Sequence, residues 1–283
     1  MRCSAAWPAS SSIDTREVSL TSVRLDVFLV EHGLAPSREK AQALVMAGRV
    51  RVDGQPATKA GTAVRAEAAV DVLPGPEHVG RGAIKLEGAL DAFGVDPRGR
   101  IALDVGASTG GFTETLLQRG ATRVYAVDVG RGQLHESLRG DARVVVLDRV
   151  NARHLSPREV PEACGIATVD VSFISVTKLL TSLRSVLATD ADLVVLVKPQ
   201  FEVGRGQVGR GGIVKDPEKH LQALRDVAAA AQSAAELAVV GACPSPIAGM
   251  EGNREFFLHL RAGKARPMEA RTLEELLART VHG

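Results

Sequence analysis

No stretch of this chain limits its fold more than Ile101-Ala-Leu-Asp-Val-Gly-Ala-Ser-Thr-Gly-Gly-Phe112. A mostly apolar run of five ends at Asp104 and Val105. A small-residue turn with Gly106, Gly110 and Gly111 then opens into residues 112–119, whose pattern predicts a helix. Strand, tight turn and helix N-terminus follow one another directly. Glycine suits a backbone that a ligand approaches closely, and the helix start offers unpaired N–H groups to an anionic group. The alternative is a bare structural turn whose glycines serve packing alone.

The spacing Asp104-x-Gly106-x-x-x-Gly110-Gly111 differs from the G-x-G-x-x-G of dinucleotide binders. A carboxylate at the strand tip and a short turn suit a ligand with an ammonium to pair and no pyrophosphate. The stretch resembles the S-adenosylmethionine loop of Rossmann-like methyltransferases. That resemblance implies that Asp104, Gly106, Ser108 and Thr109, with Gly110, Gly111 and Phe112, hold the amino-acid end of that cofactor.

Short apolar runs recur on either side of this centre, at residues 123–129, 143–147, 166–171 and 193–198, and the series finishes at 237–242 and 256–260. The spacing leaves room for crossover helices, which predicts a mostly parallel sheet of seven strands covered on both faces. Ligands of such sheets collect at the carboxyl ends of the strands. Asp104, Asp128, Asp170 and Lys198 each stand at one of those ends. Asp128 fits a carboxylate accepting hydrogen bonds from ribose hydroxyls. Asp148, after the third strand, contacts the adenine side or belongs to ordinary loop chemistry.

Ahead of this region, residues 24–73 read as a small unit of their own. Leu25, Phe28 and Leu29 share a helical face that ends at Gly33; Ser37 caps a second helix with Ala41, Leu44 and Val45 on its buried side, and Gly48 stops it. Val50-Arg-Val52, the turn signal Asp53-Gly54 and the run 69–73 predict a hairpin and a closing strand. Helix, helix and hairpin in this order, with the phrase Ser37-Arg-Glu-Lys-Ala-Gln-Ala-Leu-Val-Met-Ala-Gly-Arg-Val-Arg-Val-Asp-Gly54, resemble an S4-like RNA-binding domain. Residues 24–65 carry seven Lys or Arg against four Asp or Glu. Arg38, Lys40, Arg49 and Arg51 cluster near the second helix and hairpin, either as phosphate contacts or as a solvated charged face.

A reactive set emerges from three phrases and one helix: Val169-Asp-Val-Ser-Phe-Ile-Ser175, Val197-Lys-Pro-Gln-Phe-Glu202, Gly252-Asn-Arg-Glu-Phe-Phe257, and Lys85 near the start of the helix before the central strand. These phrases resemble the TlyA family of haemolysin-A-like ribosomal RNA 2′-O-methyltransferases, whose catalytic domain is similar to the FtsJ, RrmJ-type ribose methyltransferases. The resemblance covers residues 24–262 and implies a Lys-Asp-Lys-Glu catalytic tetrad at Lys85, Asp170, Lys198 and Glu255. It departs from the family's pattern in the N-terminal extension, at Gly80 and in the tail after Gly263.

A ribose hydroxyl is a poor nucleophile until it loses its proton or its oxygen is stabilised. A lysine of ordinary pKa, about 10.4, is protonated at neutrality and serves as a base only when that value falls. Lys85 beside Lys198 lowers one of them, and Asp170 and Glu255 oppose that and orient the ammonium groups. Lys198 is thereby the base or the alkoxide stabiliser. Phe173 and Phe201 stand out in a chain only 3% aromatic, and each either stacks on a base or packs in the core. The glycine-rich loop 204–212, with Arg205 and Arg210, reads as a substrate-contacting lid or as an unspecific flexible loop.

Composition excludes several classes. No run approaches the roughly 18 apolar residues of a membrane span. Three distant cysteines and seven scattered histidines predict neither a disulfide framework nor a metal site. The expected fold class is α/β, a Rossmann-like seven-stranded methyltransferase domain preceded by a small α+β S4-like domain. The expected organisation is a disordered extension at 1–23, the S4-like domain at 24–73, a linker at 74–83, the methyltransferase domain at 84–263 and a helical tail at 264–283. The expected protein is cytoplasmic and monomeric when free, takes S-adenosyl-L-methionine, needs no metal and acts on ribosomal RNA or ribosomal subunits, on 16S, 23S or both. A cytolysin, or an RNA-binding assembly protein with a non-catalytic methyltransferase fold, is the alternative.

Overall fold

The computed structural model describes residues 22–46, 50–73, 80–249, 252–263 and 267–283. Its chain divides into two compact units, Met1–Glu77 and His78–Gly283. Most of the expected extension and of the expected linker lies outside the described residues, but Ser22 and Val23, assigned to the extension, belong to the first strand of the first unit. The second unit is helical from Gly82 onward, inside the span assigned to the linker.

In the first unit, β1 (Ser22–Arg24) leads into α1 (Leu25–Glu31) and α2 (Arg38–Met46), followed by β2 (Val50–Val52), β3 (Gln55–Pro56), β4 (Ala63–Arg65) and β5 (Val70–Val72). Leu25, Phe28 and Leu29 of α1 pack with Ala41 and Val45 of α2 and with Val50 in one apolar cluster. Gly33 takes the left-handed conformation expected of a helix stop (φ +69°). Asp53 and Gly54 both have positive φ, the geometry that a two-residue hairpin between twisted strands requires. The sequence pattern missed the short antiparallel pair of β1 with β4, because three-residue strands leave no measurable alternation.

The second unit starts with α3 (Gly82–Phe93), whose Leu86 and Leu90 are fully buried. Then follow β6 (Ile101–Val105), α4 (Gly111–Gln118), β7 (Arg123–Asp128), α5 (Glu136–Arg139), β8 (Val144–Asp148), β9 (Cys164–Val169), α6 (Leu180–Arg184), β10 (Leu187–Val197), α7 (Pro199–Glu202), α8 (Pro217–Ala235), β11 (Ala238–Pro244), β12 (Phe256–Arg261) and α9 (Ala270–His282). The sheet order is β11-β12-β10-β9-β6-β7-β8. Strands β6 to β10 pair in parallel, and β12 is antiparallel to both β10 and β11. The segment between β11 and β12 is too short for a helical crossover, so the last strand turns back instead.

Alternation along each strand sends its side chains to two cores. Leu103, Val105 and Tyr125 join the one covered by α6 and α8, and Ala102, Val124, Ala126 and Ile166 join the one covered by α3 and α4. The expected tail is helical over α9, and it is no loose appendage: Leu277 and Val281 are buried in the first of these cores.

Candidate active site

Parallel pairing of β6 to β10 places their carboxyl ends along one edge of the sheet. Because β12 runs the other way, its amino end lies on that edge too, with Phe256 paired to Val197. Lys198 follows Val197 and Glu255 precedes Phe256, so the pairing brings both functional groups to the same place. Lys198 Nζ lies 2.5 Å from Asp170 Oδ1 and donates to Ser172 Oγ at 3.0 Å. Lys85 Nζ donates to Glu255 Oε2 at 2.5 Å. Both lysines are 9% exposed. The four residues singled out in the sequence therefore form two lysine–carboxylate pairs, Lys85–Glu255 buried and Lys198–Asp170 partly buried. Each ammonium is held by its own acid.

Lys85 reaches the edge because α3 docks closely on α4. A Cβ on Gly111 would meet the Ala83 nitrogen at 2.9 Å, so the glycine is demanded by the neighbouring helix. Gly106 (φ +85°) is demanded likewise: a Cβ there would stand 2.2 Å from the Asp170 carbonyl oxygen. The chain's own crossings thus demand these two glycines, and Gly106 also lines the cavity beside the edge.

A cavity of about 500 Å³ opens beside this edge, within the range of small-molecule sites. Gly106, Ser108, Asp128, Asn151, Asp170 and Phe173 are among the residues that line it. Asp128 accepts N–H bonds from Ser108 at 2.9 Å and Gly130 at 2.7 Å, which fixes its carboxylate at the rim. Phe173 is 89% exposed, held at φ +67°, with its ring 5.2 Å from that of Phe201. Arg210 is exposed on the loop after α7. The side chains of Lys40 and Arg205, and Arg49 as a whole, lie outside the described residues.

Four assignments change. Asp104 shares its strand parity with Ala102 and faces α4, where it is fully buried and accepts hydrogen bonds from Thr113 Oγ1 at 2.6 Å and Thr168 Oγ1 at 3.2 Å. Burial, helped by the nearby Asp170 charge and opposed by the Thr113 hydroxyl, pushes its pKa to about 7. It braces the turn from beneath and is not among the residues that line the cavity. Phe112 is 3% exposed and packs 6.3 Å from the Phe257 ring, a core role. Asp148 is engaged by Arg139 at 2.6 Å, which lowers its pKa, and it does not line the cavity. Arg38 bonds the buried Asp26 at 3.1 Å, so part of its charge is used within its own unit.

Ser172, Asn151, Arg153 and Gln133 were not singled out in the sequence, yet they belong to the site or its cavity wall. Ser172 had a signal: it stands two residues beyond Asp170, on the loop that leaves the strand end. The other three sit in turns, where no periodicity marks a residue.

The strand order, with its one antiparallel member beside β10, and the acid-tipped edge around the cavity define a Rossmann-like methyltransferase domain. Residues 78–262 match the FtsJ-like methyltransferase model, and residues 23–70 match the S4 domain model. The chain is 51% identical to the 16S/23S rRNA (cytidine-2′-O)-methyltransferase TlyA of Mycobacterium tuberculosis, over 91% of this chain and 97% of that protein. It is 37% identical to Hemolysin A of Brachyspira hyodysenteriae, over 84% of this chain and 99% of that protein. A solved chain of Streptococcus thermophilus with a provisional hemolysin name superposes with a TM-score of 0.69 at 38% identity, covering 93% of this chain and 97% of its own. The chain belongs to the TlyA family of FtsJ-like methyltransferases with an N-terminal S4 domain. Proteins named methyltransferase and proteins named hemolysin share this one family.

Among the described residues no helix is long and apolar enough to cross a membrane, and no group of three or more His, Cys, Asp or Glu is placed to hold a metal ion.

Proposed function

We propose that this protein methylates the ribose 2′-hydroxyl of a cytidine in ribosomal RNA, 16S, 23S or both, with S-adenosylmethionine as methyl donor. The observation that carries the reading is the pair of lysine–carboxylate contacts beside a cavity whose rim holds Asp128. The family's named members support the substrate class.

The cavity's donor set suits the cofactor. Asp128 keeps unused lone pairs for ribose hydroxyls, and Asn151 and Arg153 stand where a base edge would lie. The cofactor, when bound, supplies a methyl group already activated on a sulfonium. The protein's own part is alignment and charge. Ser172 Oγ accepts from Lys198 Nζ and Asp170 stands in ion-pair contact with it, so the ammonium keeps donor capacity for the ribose oxygen. As a neutral amine Lys198 would take the hydroxyl proton itself; as an ammonium it would stabilise the alkoxide once that proton has passed to solvent. Glu255 fixes Lys85 as the second positive group. Phe173, exposed at the cavity mouth, offers a stacking face to the target base, and Arg210 offers charge to the backbone. Arg51 and Arg38 of the S4 unit add phosphate contacts.

The test is methyl transfer from labelled cofactor to ribosomal RNA purified from cells lacking the protein, followed by mapping of ribose methylation. The reading expects label at a cytidine 2′-oxygen. Label on a base, or none on RNA under conditions where the cofactor binds, would sink it.

A further inference from the structure

The loop between α7 and α8 is strung between the two lysine–carboxylate pairs. It leaves from α7, whose N-cap is Lys198. It returns on residues 212–214, which are bound to a segment two residues from Glu255. Asn253, only 3% exposed, accepts the Val214 N–H at 3.0 Å on Oδ1 and donates from Nδ2 to the Gly212 carbonyl at 3.0 Å. His220, in the first turns of α8 and 2% exposed, places Nε2 2.8 Å from the Val214 carbonyl oxygen. Beyond this stem, the described side chains of residues 204–211 are mostly exposed.

The same asparagine closes the bend around Glu255. Gly249 N–H donates to the Asn253 carbonyl at 2.9 Å, and a Cβ on Gly249 would stand 2.1 Å from Glu255 Oε1. A buried carboxamide costs more than an apolar side chain unless its hydrogen bonds are made. Here those bonds join the loop to the catalytic segment. Gly211 (φ +73°) and Gly212 (φ +77°) supply the backbone freedom of a hinge just before the anchored stem.

We propose that Asn253 is a positioning residue that couples the seating of loop 204–214 on RNA to the placement of Glu255 against Lys85. The anchored stem and the Lys85–Glu255 contact then form one bonded unit, and a loop pulled from its stem loosens both. The inference rests on the proposed methyltransferase reading and deepens it, by naming how substrate contact reaches the catalytic charges.

The full-length chain and its Asn253→Ala, Asn253→Asp and Glu255→Gln variants test this, with the double variant Asn253→Ala/Glu255→Gln. The readouts are cofactor and RNA affinity, tryptic cleavage after Arg210 with and without ribosomal RNA, and single-turnover methyl transfer at saturation. Coupling expects cofactor and RNA affinities within about twofold of the parent, loss of RNA protection at Arg210 in the Asn253 variants, and a rate lower by about tenfold or more. It also expects the double variant to be no slower than Glu255→Gln alone. Additive losses, or retained protection with the parent's rate, would overturn it. Where Asn253→Ala does not fold, Asn253→Asp, which keeps the acceptor for Val214, carries the comparison. A parent that transfers no methyl group to RNA defeats the activity reading instead, and the protection assay still reads the coupling.

Discussion

Val197 and Phe256 are register partners across the antiparallel junction of β10 with β12, and each is adjacent to a charged residue of the candidate site. That single pairing explains why Lys198 and Glu255, 57 positions apart in the sequence, reach one edge. It also explains why the chain ends its sheet with a reversed strand: a parallel β12 would carry Glu255 to the opposite end.

Glu255 should be less replaceable by Ala than by Gln. It is 4% exposed and faces Lys85, so truncation leaves a buried ammonium without its partner, a change that costs roughly 3–5 kcal/mol in buried pairs. Gln keeps the shape and one acceptor. Thermal unfolding should show Glu255→Ala well below Glu255→Gln, and both should be slow in single-turnover methyl transfer. Equal melting temperatures for the two would show that the acceptor kept by Gln does nothing for the buried ammonium.

Lys198 should separate chemistry from binding. Lys198→Ala removes a positive charge and a possible base beside Asp170, so turnover should fall by about a hundredfold or more while cofactor and RNA still bind. Lys198→Arg keeps the charge and is effectively never neutral. Its near-total loss favours the base role, and partial retention favours alkoxide stabilisation. A Lys198→Ala protein turning over at close to the parent rate would remove Lys198 from the mechanism.

Asp104 predicts a pH-dependent stability of defined sign. Its folded pKa of about 7 lies above the unfolded value near 3.9, so the native state binds the extra proton between those values. Stability from this group is greatest at the acid end of that window. It falls by up to about 1.4 kcal/mol per pH unit as pH rises toward 7, then levels. Asp104→Asn cannot ionise, and the Thr113 and Thr168 hydroxyls can still bond it. Its melting temperature relative to the parent should therefore climb from pH 5 to pH 7 and stay flat above. A difference independent of pH would contradict a buried titrating acid.

The central strand, turn and helix were legible because a five-residue apolar run and the glycines behind it carry unambiguous local signals. The placement of Asp128, Asp170 and Lys198 at strand ends was legible because parallel strands finish along one edge. The burial of Asp104 was not legible because the same strand-end logic says nothing about which face the side chain takes; parity with Ala102 decided that. Phe112 was misread for a similar reason, since its place beside Phe257 depends on how α4 lies against the sheet. Ser172 and Asn253 act through contacts between distant segments, and no periodicity announces those. The grouping of four charges into two pairs also needed the fold.

Arg51 and Arg38 should respond differently to the same substitution. Arg51 is exposed on β2, whose neighbours Val50 and Val52 face inward, so its charge is open to a phosphate. Arg38 is bonded to the buried carboxylate of Asp26, which Arg24 above all, with Gln42 and Arg38, holds well below the usual carboxylate range. That network contributes stability above the unfolded carboxylate value of about 3.9, and the contribution is lost as pH falls through the depressed folded value. Arg51→Gln should therefore reduce the salt slope of RNA binding by about 0.7 to 0.9 and leave the melting temperature unchanged. Arg38→Gln should reduce the slope by less and also lower the melting temperature, because Asp26 loses a partner. Cofactor affinity should be unaffected in both, since these residues belong to the other unit. RNA binding measured from low to moderate salt, with thermal unfolding alongside, resolves the two. An Arg51→Gln protein with the parent's salt slope would mean that the outward face of β2 is merely solvated and that phosphate contacts lie elsewhere.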